Sequence, residues 1–378
     1  MAKGMYVGIS GKARKIKKGY VGIGGKARKI KKAYVGIGGK ARPFWTEEII
    51  EKYGTLDPLS ESRGLLTGGV VGNYALFAGG RANSPSTKNF NNVDVYNSQF
   101  VHSVATNLKS SRCYLTTGNI GEHVLFAGGE YTNINSSNKE SIYSNAVDAY
   151  NHNLVKSTPV GISDSKTQIA NCNTMNHTLF AGGYSYRYGD SYGTAYVRVD
   201  AYNSQLSRSL GSLSTTKCSV AGAGISDYAL FAGGFRPGNP DIYYNTVDAF
   251  NVNLTRTTAA NSSISAAYRG GVGTINGYAV FAGGKSGYST YYDTVEFYTN
   301  ALVRFTALSL SQTQMILQTI PYSDFTLFIG EKTTEIYNRS LSKIGISTNL
   351  KAGVSSGISW INDYILVGNY SVTAYVVS

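Results

Sequence analysis

Tryptophan is almost missing from this 378-residue chain, which has two, and cysteine (three), methionine (four), histidine (four) and proline (seven) are scarce. Each shortage removes a class of protein. Cys113, Cys172 and Cys218 are odd in number, far apart and without a Cys-x-x-Cys pair, so neither a disulfide framework nor a zinc site is expected. They read as free thiols filling small buried spaces. No run approaches 18 apolar residues and no apolar segment opens the chain, so neither a membrane span nor a secretory signal peptide is expected. Four histidines supply no His/Cys cluster and no Ser/His/Asp set. His123 and His177 occupy the place that Tyr74, Tyr228 and Tyr278 take in parallel segments, which marks strand-end packing, and His102 and His152 stand alone. No catalytic residue, metal or cofactor is expected.

Charge is also sparse, at 15% of residues. Acidic residues are absent from positions 1–45, which hold ten Lys and three Arg and so carry the whole net charge of +13. The remaining 22 basic and 22 acidic residues cancel. A neutral body therefore follows a basic arm. What the chain has in quantity is glycine (44) and tyrosine (30), with 42% hydrophobic residues, a profile that suits strands and turns better than helices.

Two repeats of different period organise it. NYALFAGG (Asn73–Gly80) returns around Phe126, Phe180, Phe231 and Phe281, degrades to TLFIGE around Phe328, and ends as YILVGN (Tyr364–Asn369). The spacings of these phenylalanines, 49, 54, 51, 50 and 47, leave room for four short strands per unit. A second element follows each copy, as VDVYN (Val93–Asn97), VDAYN (Val147–Asn151 and Val199–Asn203), VDAFN (Val247–Asn251), VEFYT (Val295–Thr299), TEIYN (Thr334–Asn338) and VTAYV (Val372–Val376). A Leu followed four residues on by a basic or polar residue precedes several units: Leu59/Arg63, Leu108/Arg112, Leu213/Lys217 and Leu310/Gln314. Four strands at a period near 50 is the arithmetic of a β-propeller blade.

The Phe-Ala-Gly-Gly strand end with its downstream Val-Asp-Ala-Tyr-Asn resembles the kelch repeat over residues ~55–378. The chain departs from that pattern in lacking the fourth-strand Trp, and no Trp-Asp dipeptide supports a WD-type blade. The resemblance implies an all-β, seven-bladed kelch-like propeller over residues 63–378. Because the last unit has only three strands before Ser378, the fourth-strand pattern at Tyr53–Ser62 is expected to pair with it and close the ring, within a linker spanning 46–62.

The shorter repeat is the arm, residues 1–45: Tyr6, Tyr20 and Tyr34 lie fourteen apart in YVGISGKARKIKKG, YVGIGGKARKIKKA and YVGIGGKARPFW. Recurrent glycine argues for short hairpins or extended strands. This motif resembles the YVG-x-x-GKARK segments of tail and baseplate proteins from phages and prophages of Gram-positive bacteria. That implies a virion component, made in the bacterial cytoplasm and present in several copies of a symmetric assembly. Its partners would be other tail, baseplate or capsid proteins, docked through Lys12, Arg14, Lys15, Lys17, Lys18, Lys26, Arg28, Lys29, Lys31, Lys32, Lys40 and Arg42. Charge alone also fits nucleic acid or an anionic envelope polymer, although a nonspecific DNA tail needs no regular Tyr-Val-Gly-Ile strands.

Two features compete for function in the body. Asp94, Asp148, Asp200, Asp248, Glu296 and Glu335 recur once per blade, which favours a structural part, accepting backbone N–H groups, over a cation-binding ring around a channel. No acid/base pair can be picked from such a set, and the Asp-box of bacterial neuraminidases is absent. The segments between Gly-Gly and the Val-Asp strand differ from blade to blade and are rich in Tyr, Ser, Asn and Gly, as antibody paratopes are. Tyr184, Tyr186, Tyr188, Tyr192, Tyr243, Tyr244, Tyr288, Tyr291 and Tyr292 are the candidate contacts for a host-surface glycan or protein. The alternative is that these loops only pack on one another. A propeller enzyme of the copper-oxidase kind would need Tyr and His ligands with a Tyr–Cys crosslink, which the isolated histidines do not supply.

Overall fold

The computed structural model describes the backbone of residues 6–9, 12–15, 19–23, 26–30, 32–37 and 40–46, and the chain from 50 to 377 apart from 84–86, 134–139, 269, 276, 288, 322–324, 339, 351–355 and 362–363. No helix occurs among the described residues. The chain divides into two units, 1–51 with 378, and 52–377.

The first unit contains three antiparallel hairpins, Tyr6–Ile9 with Lys12–Lys15, Gly19–Ile23 with Lys26–Ile30, and Lys32–Ile37 with Lys40–Thr46. The register repeats with the sequence: Val7 lies opposite Arg14, Val21 opposite Arg28 and Val35 opposite Arg42. Nine of the arm cations fall in these strands, while Lys17, Lys18 and Lys31 lie outside the described residues.

The second unit is a seven-bladed β-propeller, each blade a four-stranded antiparallel sheet. Blade one runs Thr67–Val71, Tyr74–Ala78, Val93–Asn97 and His102–Ala105 from the axis outward. Five further blades repeat this order, and blade seven combines Gly357–Ile361, Tyr364–Asn369 and Ser371–Val377 with Ile50–Thr55. The core lies between blades. One cluster joins Leu76, Ala78 and Val93 of blade one to Val124, Phe126 and Tyr150 of blade two; another joins Leu366 and Val372 of blade seven to Phe77 and Tyr96 of blade one.

The motif residues explain this packing. Gly79 and Gly80 take φ of 65° and 114°, in the left-handed region open to glycine, and a Cβ on Gly80 would stand 2.8 Å from the Gly64 carbonyl. The Tyr of the Val-Asp-Ala-Tyr strand packs edge-on against the motif Phe, as Tyr96 does on Phe77, and its hydroxyl donates to the connection before its own blade: Tyr96 to Asp57 O at 2.7 Å, Tyr150 to Thr106 O at 2.6 Å and Tyr202 to Val160 O at 2.7 Å. The closing Asn accepts two turn amides, Asn151 Oδ1 from Asn153 and Val155 at 3.0 and 2.9 Å. This bend holds Leu154 at φ 60°, where its side chain joins the core beside it.

Ring closure is as expected in principle and shifted in register. The closing strand is Ile50–Thr55, upstream of most of the Tyr53–Ser62 segment, and Leu56 N still donates to Val372 O at 2.9 Å. Beyond it Pro58 has no N–H for a ladder. The Asp57 carbonyl and Ser60 amide are taken by Tyr96 and Asp94 of blade one.

Candidate functional site

The recurrent carboxylates are internal ties. Asp94, Asp148, Asp200 and Asp248 are fully buried on their third strands, each beside a buried cation from the segment entering the same blade. The distances are 2.5 Å for Arg63–Asp94, 2.6 Å for Arg112–Asp148, 3.8 Å for Lys166–Asp200 and 2.9 Å for Lys217–Asp248. A second side chain approaches each from the outer strand, the His102 ring at Asp94 and the cations Lys156, Arg208 and Arg256 at the other three. A loop amide completes each site, Ser60, Lys109, Ser163 and Ser214 in turn. Blade five has Ala266 where the inner cation stands, and Glu296 binds Arg304 at 2.8 Å and the Ser263 amide at 2.7 Å. In blade six Glu335 lies 3.7 Å from Lys343, with Gln314 in the inner place. The expected amide acceptance is present; Arg63, Arg112 and Lys217 stood out in the sequence only as repeating residues, while Lys166 and the pairing of all four with the carboxylates escaped it.

Burial alone would raise the Asp94 pKa, but the Arg63 charge, the Ser60 amide and hydrogen bonds from Arg63 and His102 outweigh it and hold the carboxyl below its usual value. A depressed folded pKa contributes stability above the unfolded pKa, and that stability is lost as pH falls through the folded value. Thermal melts taken from about pH 5 to about pH 2 should therefore lose less Tm in Asp94→Asn than in the parent chain. An equal loss in both would refute this linkage.

The axial channel, about 720 Å³, runs between the inner strands. Its described wall carries no charged side chain; Thr117, Asn119, Gln318, Thr319 and Trp360 are among the lining residues. The six carboxylates do not reach it, so a cation-binding ring around the channel is not what they form. Burial pushes the thiols of Cys113, Cys172 and Cys218 up to about 12, far from nucleophilic thiolates. Among the described residues no group of three His, Cys, Asp or Glu could hold a metal ion.

The variable segments form a built surface. In blades one to five the connection between second and third strands folds into a short ribbon: Arg81–Ala82 with Lys88–Asn89, Glu130–Thr132 with Ser141–Tyr143, Tyr184–Ser185 with Thr194–Ala195, Phe235–Arg236 with Ile242–Tyr243, and Lys285–Ser286 with Thr290–Tyr291. Each ribbon is bridged to the segment entering the same blade, as Thr167 to Tyr184 and Cys218 to Phe235. Neighbours also join, since Arg81 donates to Thr132 Oγ1 at 2.9 Å and Asn89 donates to Thr132 O at 2.9 Å. The ribbons thus pack on one another and still leave rings exposed.

The candidate tyrosines sort by position. Tyr186, Tyr188 and Tyr192 stand at the tip of the blade-three ribbon with 38%, 69% and 49% of their surface exposed. Tyr184 is half-buried, and Tyr243 stacks on Phe235 at 5.4 Å with a 17° interplanar angle. Tyr244, Tyr291 and Tyr292 are half-buried, the Tyr292 hydroxyl lying 2.9 Å from Ser286 Oγ. Tyr288 lies outside the described residues.

Sequence reading missed Tyr114 and Tyr268. They belong to a set of five left-handed residues, Leu65, Tyr114, Gln168, Ser219 and Tyr268, with φ between 51° and 56°. Each falls two residues after the inner-cation position, and hydrogen bonds link them across blades: Tyr114 N to Leu65 O, Tyr268 N to Ser219 O, and Ser219 Oγ to Gln168 Oε1 at 2.6 Å. Such a conformation is uncommon for tyrosine and persists only where its surroundings enforce it. Burial raises the pKa of Tyr114, Tyr184 and Tyr268, and pushes Tyr143 up to about 12. These phenols are therefore neutral hydroxyls, able both to donate and to accept.

No family model matches the chain, and no curated protein does. Its fold is similar to the solved structure of YjhT, at 13% identity and a TM-score of 0.53, over 83% of this chain and 99% of that one. With 656 solved chains matching, a likeness this widely shared bears on architecture rather than activity. By its structure the chain is a seven-bladed β-propeller with a ribbon on each of blades one to five, those of blades two to five carrying tyrosines.

Proposed function

We propose that this protein is a non-enzymatic binding component of a tailed-phage or phage-tail-like particle. In this reading the kelch-like propeller presents its ribbon face to a host-surface glycan, and the basic arm docks into the tail, baseplate or capsid. The observation that carries it is the exposure of Tyr186, Tyr188 and Tyr192 on a ribbon pinned to the propeller by the Thr167–Tyr184 bridge. Rigid aromatic rings on a fixed base lose little conformational entropy on binding and offer faces to sugar C–H groups and hydroxyls to polar ones. The arm supports docking because its fourteen-residue repeat is also a repeat of backbone register, which charge alone does not require.

Two outcomes are expected. Tyr188→Ala with Tyr192→Ala should weaken binding of the full chain to host cell-wall glycan about tenfold or more, measured by surface plasmon resonance. Deleting residues 1–45 should abolish incorporation into particles without changing the propeller melt. Unchanged incorporation would refute docking. A salt-sensitive shift of bare DNA, lost in the same deletion, would instead make nucleic acid the arm's partner.

A further inference from the structure

The ribbon face is not closed. Blades one to five carry ribbons, but the second and third strands are joined by residues 331–333 alone in blade six and by Tyr370 alone in blade seven. The ribbons therefore make a wall around most of the channel mouth, with a gap over blades six and seven. At the mouth a recess of about 190 Å³ lies chiefly between blades seven, one and two, lined by Leu65, Tyr114, Gln318 and Ile358 among others.

The two ends of the wall differ in charge. At the blade-one end, Arg81 lies 3.7 Å from Glu130 and Lys88 lies 3.1 Å from Glu61, so both cations have counter-ions. At the blade-five end, Lys285 Nζ sits 5.3 Å from the Tyr268 ring centroid and Lys332 Nζ 5.5 Å from that of Tyr291. Neither lysine forms an ion pair among the described residues, and Lys332 donates to the Thr313 carbonyl at 2.9 Å. Two ammonium groups held over rings, with no carboxylate partner, leave room for an anion. Close by are Ser286, Tyr292 and Thr313, whose hydroxyl and carbonyl groups suit a polyol.

We propose that the gap admits a linear acidic glycan, with Lys285 and Lys332 pairing its carboxylates and Tyr268 and Tyr291 offering rings to its sugar faces. A polymer can lie across an open rim and continue outward, whereas a closed wall would admit only a chain end. The proposal rests on the ribbon face being the ligand-binding face, and the test separates the two.

Linear uronate oligosaccharides and neutral oligosaccharides of equal length are titrated into the full chain and its variants by isothermal calorimetry. The parent should prefer the uronates. Lys285→Ala with Lys332→Ala should reduce their affinity at least tenfold, Lys285→Arg with Lys332→Arg should restore it, and Lys52→Ala should leave it unchanged. Lys332→Gln, which keeps a donor for Thr313, gives the reading if the alanine pair fails to fold. Lys26→Gln with Arg28→Gln and Lys29→Gln measures the arm's own share of polyanion binding. Equal affinity in parent and lysine variants, or no uronate preference, overturns the assignment. If Tyr188→Ala with Tyr192→Ala weakens binding while the lysine variants do not, only the gap is misassigned. If neither set matters, the ribbon-face reading falls with it.

Discussion

Asp148→Ala is expected to cost the propeller about 3–5 kcal/mol, the penalty of leaving a buried charge without its partner. Arg112 is fully buried and donates to Asp148 Oδ2 at 2.6 Å, with weaker bonds to Phe126 O at 3.2 Å and Ser110 Oγ at 3.3 Å. Burial already depresses the Arg112 pKa, and the Asp148 charge is the first influence opposing it. Removing the carboxylate also strands the Lys109 amide and leaves Lys156 bonded to the Asn107 carbonyl without its ion pair. A fall in Tm of about 5–10 °C should be visible by calorimetry. The paired change Arg112→Met with Asp148→Leu should recover much of it, because neither buried charge then remains. A loss below about 1 kcal/mol for Asp148→Ala would mean that solvent reaches the pair.

Removal of residues 1–55 is expected to have the second large effect, where removal of 1–45 has little. The longer deletion takes away the outer strand of blade seven and exposes the backbone edge of Ser371–Val377. It also removes Tyr53, whose ring lies 5.3 Å from Phe100 and 5.1 Å from Tyr364, so that blade one's turn and blade seven's second strand lose their common neighbour. An unpaired edge of seven residues is a template for another chain. Size-exclusion chromatography should show oligomers or aggregates for the longer deletion and one stable species for the shorter. A monomeric chain lacking 1–55 with an unchanged Tm would mean that blades one and seven hold together without the strand.

The propeller was legible because its signals are local and repeat. Phe77 and its counterparts fix the period, the Gly-Gly doublet marks each strand end, and Val-Asp-Ala-Tyr alternates as a strand does. The closing strand was legible in kind but misplaced, because Tyr53–Ser62 has strand-like composition while its second half is tied to blade one by Asp57 and Ser60. Arg63 and Arg112 were noticed as repeating residues, yet their partners Asp94 and Asp148 lie 31 and 36 positions away, a pairing no short window contains. The exposed ring tips of blade three followed from composition. Tyr114 and Tyr268 did not, because a left-handed backbone at a tyrosine leaves no mark in residue type. It is imposed by the bridges and hydrogen bonds around the mouth.

The closing strand also sets a path for force. Only residues 47–49 separate the last arm strand, Lys40–Thr46, from Ile50–Thr55. Under the proposed docking, a pull on the arm would reach the propeller through the segment that shuts the ring. The backbone ladder to Ser371–Val377, the Tyr53 ring contacts and the Asp94 and Tyr96 ties just downstream share that load. The seam that completes the propeller is thus its clasp, and also the point at which the arm enters the ring.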